Sequence, residues 1–103
     1  MAMMITRTVK EAGGKLLTVR IVVGNDCVIR ELTLEGDFFA FPPENIDRVS
    51  EVSRRRKVST ELLNEVLALL GEADIVGISR KSLEDILHSV FQEALRSCRG
   101  AVR

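Results

Sequence analysis

The chain has 103 residues, with 15 basic and 15 acidic side chains and a formal net charge of zero. Hydrophobic residues make up 46% of it and charged residues 29%, a balance typical of a folded globular domain and too apolar for a disordered tail. We therefore expect one domain over residues 1–103. The lack of a basic excess argues against general nucleic-acid binding, and no apolar run reaches the roughly 18 residues of a membrane span.

The cysteine and histidine content limits the chemistry. Cys27 and Cys98 lie far apart and form no CxxC pair, which indicates neither a zinc site nor a disulfide framework. We expect reduced thiols, no bound metal and a cytoplasmic location, because the segment before Thr6 is too short for a signal peptide. With no Trp, no Tyr and His88 as its single histidine, the chain lacks several common acid–base arrangements. We expect no catalytic residue in it.

The first third of the sequence predicts strands. Alternating β-branched residues favour a strand over 5–10, and a clearer apolar alternation favours a second over 16–23. Glycine-rich turns predict hairpins between these strands and before a third strand over 27–35. Arg30 interrupts the apolar face of the third strand, which indicates a β-bulge near the hairpin turn.

An aromatic segment follows the third strand. The run Gly36-Asp37-Phe38-Phe39-Ala40-Phe41 contains three of the four phenylalanines. It predicts a short strand after a glycine kink, and Pro42-Pro43 ends that strand. Alternate phenylalanines are expected to fill the core. Phenylalanine exposed on the other face, beside two prolines, would indicate a partner or ligand surface.

The remaining sequence predicts three helices, separated by a basic run at 54–57 and a short apolar connector at 75–78. The expected helix limits are Pro43 to about 57, Ser59 or Thr60 to Gly71, and Ser79 or Ser82 to Gly100. Strands first and helices second favour an α+β fold: a small antiparallel sheet of three to four strands covered by helices on one face. A βαβ dinucleotide-binding unit is excluded because no crossover helix separates the early strands.

Three sequence patterns are candidates for functional sites. Gly13-Gly14-Lys15 lacks the other residues of a phosphate-binding loop and predicts a hairpin turn with an exposed lysine. The basic run at 54–57 has no interleaved aromatic residues and indicates a solvated helix end rather than an RNA site. Cys27, next to a turn, remains open as a sulfur-carrying nucleophile.

Four motifs in this order resemble the C-terminal, or accessory, domain of lipoate–protein ligases. They are Gly14-Lys15-Leu16-Leu17, Gly36-Asp37-Phe38-Phe39, Pro43-Glu44-Asn45-Ile46, and Ile75-Val76-Gly77-Ile78 before a long apolar helix that ends in Glu93-Ala94-Leu95. The resemblance covers residues 8 to 96. The sequence departs from the family's pattern at Ala12, where a proline often precedes the two glycines, and in the arginine run.

That resemblance implies a fold similar to SufE/NifU-type domains. It also implies an accessory subunit of a two-component ligase, since 103 residues leave no room for a catalytic domain. The family's catalytic domain uses ATP to convert lipoate to lipoyl-adenylate and transfers the lipoyl group to a lysine of a carrier domain. On this basis the chain binds no cofactor alone and forms a heterodimer with a catalytic subunit, whose site holds ATP, Mg and lipoate. Its contact with lipoyl carrier domains is indirect.

The expected contact with the catalytic subunit involves Lys15 and the segment 36–41. The candidate interface residues are Lys15, Gly36, Asp37, Phe38 and Phe39. Two other hypotheses stay open at this point: a sulfur-transfer or iron–sulfur scaffold-like protein using Cys27, and an interaction module using the basic run at 54–57.

Overall fold

A computed structural model describes residues 3–101, with side chains described from 3 to 98. In chain order the elements are β1 (Met3–Lys10), β2 (Leu16–Val23), β3 (Ile29–Gly36), β4 (Phe39–Phe41), α1 (Glu44–Ser53), α2 (Thr60–Gly71), β5 (Asp74–Val76) and α3 (Arg80–Ala101).

The main sheet is antiparallel, with the strand order β1-β2-β3. Its register shifts between Val22 and Val23 of β2, so the predicted bulge is confirmed. The shift explains the interrupted apolar face of β3: Ile29 lies opposite Val23 and Leu32 opposite Ile21, and all four side chains are buried although Ile29 and Leu32 are three residues apart.

The helices cover one face of this sheet, and the predicted α+β class is confirmed. α3 packs across β1 and β2, while α1 packs against β3 and α2. Side chains of the sheet and the helices form one hydrophobic cluster, in which Leu17, Ile21, Leu87 and Phe91 are completely buried. An ion pair between Arg7 and Glu93 also joins β1 to α3.

A second sheet of two strands, β4 and β5, lies outside the main sheet. The prediction that residues 75–78 form a plain connector was wrong, because 74–76 pair antiparallel with 39–41. Three residues are too few to show a strand period. The pairing depends on a partner that is distant in sequence.

The basic run is more than a helix end. α1 ends at Ser53, and the chain then passes beside the start of β3, where Ile29 donates a backbone hydrogen bond to the Arg56 carbonyl at 2.8 Å. Arg54 and Arg55 are exposed as expected. Arg56 instead donates two hydrogen bonds to Glu65, at 3.1 and 2.6 Å, which raise the pKa of Arg56 and lower that of Glu65.

The expectation of reduced thiols was also wrong. Cys27, in the turn before β3, and Cys98, near the end of α3, have Cα atoms 5.8 Å apart and form a disulfide. The two residues are separated by 71 positions, so their spacing carries no sign of the contact. They meet because α3 crosses the sheet and brings its last turns to the β2–β3 hairpin.

We predict that the disulfide contributes stability rather than activity. Replacing both cysteines with serine (Cys27→Ser with Cys98→Ser) should lower the free energy of unfolding by about 2–4 kcal/mol, since the link closes a long loop in the unfolded chain. Urea denaturation measures this, and a dithiol reductant should cause the same loss in the wild-type chain. Equal stability of the oxidised and reduced wild-type proteins would contradict the prediction.

Candidate partner interface

The candidate site begins where the chain leaves the main sheet at Gly36. Gly36 lies opposite Leu17 at the end of β3 and has a φ of +157°. A Cβ atom at this position would lie 2.2 Å from the Leu16 carbonyl oxygen, well inside contact distance. Only glycine fits the position without moving β2.

Asp37 holds the end of β3 against the start of β2. Its backbone N–H donates to the Leu16 carbonyl at 2.9 Å, and its carboxylate Oδ2 accepts from the Leu16 N–H at 3.0 Å. Gly77, with a φ of +109°, packs against the same place, where a Cβ atom would lie 2.6 Å from the Asp37 carbonyl oxygen. We call Leu16, Gly36, Asp37 and Gly77 the crossing.

Lys15 lies directly before the crossing, in the turn between β1 and β2, and is exposed. The Lys15 carbonyl accepts a hydrogen bond from the Glu11 N–H at 2.7 Å. The Glu11 carboxylate in turn accepts from the Ser79 N–H at 2.6 Å, just before α3 begins. This backbone hydrogen bond is the main cause of a lowered pKa at Glu11. The turn that bears Lys15 is therefore tied to the start of α3.

Beyond the crossing, β4 and β5 present an apolar face to solvent. Phe38 is half-buried against the core and Ala40 is buried. Phe39 and Phe41 point outward and are 69% and 59% exposed. Val76, opposite Phe39 in the ladder, is 56% exposed. Directly paired residues of antiparallel strands share a face, so these three side chains form one patch.

An open groove of about 660 Å³ lies between β4 and α1. Its lining residues are Leu34, Glu35, Gly36, Phe38, Phe39, Ala40, Phe41, Pro43, Ile46 and Asp47. This lining is largely apolar and includes no basic residue from the described part of the chain. Of its two acidic residues, Asp47 lies on α1, while Glu35 also lines the open face of the main sheet beside Arg20. Complete burial of a phenylalanine side chain is worth about 1.5–3 kcal/mol, so a protein that covers the patch gains favourable free energy from these side chains.

The wall of the groove formed by α1 is held by two polar contacts with its neighbours. Asn45 is buried and donates from Nδ2 to the Leu69 carbonyl of α2 at 2.8 Å. Ser50 Oγ donates to the Leu32 carbonyl of β3 at 2.7 Å. These contacts give Asn45 a structural role and fix the helix relative to the aromatic patch.

The structure brings the predicted interface residues together. Gly36, Asp37, Phe38 and Phe39 follow one another through the crossing, and Lys15 precedes the crossing on the other strand. Gly36 and Asp37 position the backbone, Phe38 joins the core, and Phe39 is available to a partner. Phe41 belongs to the predicted segment and shares the exposed face.

Sequence reasoning missed the contributions of other elements. The predicted connector over 75–78 gave no sign of β5, so Val76 and Asp74 were missed. Nothing in the sequence around Asp47 indicated that it lies beside the aromatic segment. The expectation that alternate phenylalanines fill the core was wrong for Phe39 and Phe41, which share an exposed face.

Among the described residues, no group of three or more His, Cys, Asp or Glu side chains could hold a metal ion. His88 is exposed on α3. No helix in the described range is long and apolar enough to cross a membrane.

No protein-family model matches the chain, and no curated protein sequence does. A solved structure does resemble it: a chain from an archaeal lipoylation system of Thermoplasma acidophilum, comprising a bi-partite lipoate protein ligase and its E2 lipoyl domain. The two share 20% identity at a TM-score of 0.64, over 84% of this chain and 97% of that chain. The likeness shows a shared fold over nearly the whole length of the archaeal chain.

We predict that Gly36 is required for the geometry of the interface. Gly36→Ala should destabilise the protein by at least about 2 kcal/mol more than Gly14→Ala, because its Cβ overlaps the Leu16 carbonyl. Gly14 is the matched control: its φ of +86° also disfavours alanine, yet nothing lies within 4 Å of its Cβ position. Urea denaturation gives the stabilities, and NMR shifts of Phe39 and Phe41 should change only in Gly36→Ala. Equal effects of the two substitutions would show that the close contact is unimportant.

Proposed function

We propose that the chain is the accessory subunit of a two-component lipoate–protein ligase. The observation that carries the proposal is the shared fold with a chain from an archaeal lipoylation system that has a bi-partite lipoate protein ligase. The order of motifs in the sequence supports it independently. The exposed patch of Phe39, Phe41 and Val76 supplies a surface for the catalytic subunit.

In the proposed ligase, the catalytic subunit carries out the chemistry and this chain completes its site. ATP, Mg and lipoate bind at the catalytic subunit's site, where the lipoate carboxylate attacks the α-phosphorus of ATP and pyrophosphate leaves. This chain forms a heterodimer with that subunit and closes over the site. Excluding water and ordering a loop strengthens the electrostatic stabilisation of the charge that develops on pyrophosphate. Lys15 lies at the edge of the crossing and is the cation nearest in sequence to it.

The proposal includes a cytoplasmic location. Disulfides are rare in cytosolic proteins, with intracellular proteins of hyperthermophiles as an exception, so the bond between Cys27 and Cys98 makes the redox state of the chain in cells a test of this location. Alkylation of free thiols in intact cells reports the redox state directly.

The structure weakens the two other hypotheses. A sulfur-transfer protein needs a free thiol at Cys27, and this cysteine is bonded to Cys98. In the basic run, Arg54 and Arg55 are exposed, but Arg56 is paired with Glu65, and no aromatic residue lies within the run for bases to stack on. We therefore do not propose either function.

Pyrophosphate release from ATP and lipoate tests the proposed function. The purified chain should release none alone and should restore adenylation when added to its catalytic subunit. At subunit concentrations near the dissociation constant, Lys15→Ala and Asp37→Ala should lower the rate by about tenfold, a typical loss when an interface contact is truncated. Transfer of preformed lipoyl-adenylate should fall much less.

Asp37→Asn is the matched control for Asp37→Ala. It keeps an oxygen that accepts from the Leu16 N–H, so it should retain most of the activity if Asp37 acts by holding the crossing. Equal pyrophosphate release with and without the chain, with the complex shown to form, would overturn the accessory role. ATP turnover by the chain alone would also overturn it.

A further inference from the structure

We propose that the groove between β4 and α1 binds a segment of the catalytic subunit in which apolar side chains are flanked by lysine or arginine. The inference rests on the proposed function for the identity of the partner. It adds the site of contact on this chain and the chemistry of the surface that fills it.

The apolar part of the argument comes from the arrangement of the exposed side chains. Phe39, Phe41 and Val76 lie on one face of the two-stranded sheet, and Pro43 and Ile46 continue the apolar surface into the groove. Such a continuous apolar surface favours apolar side chains from a protein partner.

The charged side chains beside this surface include two carboxylates: Asp47 lines the groove and Asp74 lies opposite Phe41 in the ladder. Glu35 also borders the groove, but it alternates with the buried Leu34 and lies with Arg20 on the open face of the main sheet. Over residues 3–98, the ion pairs of acidic side chains lie elsewhere; they involve Asp26, Glu31, Glu65, Asp85 and Glu93. Asp47 and Asp74 thus form no ion pair within the described part of this chain.

A partner that covers the groove must compensate these charges. Removing a carboxylate from water without a counter-charge is costly, so a purely apolar or acidic segment would bind poorly. Lysine or arginine beside the apolar side chains supplies the counter-charge. The same carboxylates, which we call the acidic rim, disfavour lipoate and ATP as ligands of the groove, since both are anions.

The test measures the dissociation constant and association rate of the complex between the full chain and its catalytic subunit, at about 50 and 300 mM salt. Three double variants are compared. Phe39→Ser with Phe41→Ser removes the apolar patch, Asp47→Asn with Asp74→Asn neutralises the carboxylates beside the groove (the groove variant), and Glu61→Gln with Glu84→Gln removes the same charge from exposed positions on α2 and α3. Thermal melting confirms that each variant is folded.

The apolar variant should weaken binding by at least about 30-fold at both salt concentrations, because a central aromatic contact is lost. Neutralising the groove should slow association by about fivefold at low salt and flatten the salt dependence, as expected for charges at the edge of an interface. The control variant should behave like the wild-type chain.

The outcomes separate the two proposals. Wild-type affinity in the apolar variant overturns the groove assignment and leaves the accessory role standing. Tighter binding on neutralisation, or equal effects of the groove and control variants, overturns the proposal that the bound segment is basic. Failure of the wild-type chain to bind the catalytic subunit overturns the proposed function. It also overturns the assignment of that subunit as the partner at the groove.

Discussion

The structure depends on one close backbone contact at the crossing, where Asp37 lies beside Leu16 at the start of β2. Two hydrogen bonds join Asp37 to Leu16, and Gly36 permits the contact because a Cβ atom there would overlap the Leu16 carbonyl. Directly after this contact the chain leaves the main sheet and enters a separate two-stranded sheet, in which Phe39 and Phe41 share an exposed face with Val76.

The hydrophobic core and α1 support the two-stranded sheet and the groove. The buried face of the main sheet and the apolar faces of the helices form the core, while Asn45 fixes α1 as one wall of the groove. The disulfide acts at the β2–β3 hairpin and the end of α3, outside the lining of the groove. The disulfide and the exposed patch therefore involve different residues, and substitutions can alter one without the other.

The sequence predicted the parts of the fold whose patterns are local. The alternation over 16–23 defined β2, and Arg30 indicated the bulge through its break in the apolar face of β3. β5 was missed because three residues show no period, and the disulfide because its cysteines meet only when α3 crosses the sheet. For the candidate site, the segment 36–41 was predictable from its aromatic content. The acidic side chains beside it were not, because Asp47 and Asp74 come from α1 and β5 and approach the segment only in the folded chain.

The central claim is that the face formed by β4, β5 and α1 is covered by the catalytic subunit of a lipoate–protein ligase. Hydrogen–deuterium exchange of the full chain, alone and in the complex, tests this most directly. The account predicts slower exchange over residues 36–47 and 74–77 in the complex, with little change at the β2–β3 hairpin. Protection confined to the open face of the main sheet or to the outer side of α3 would contradict it.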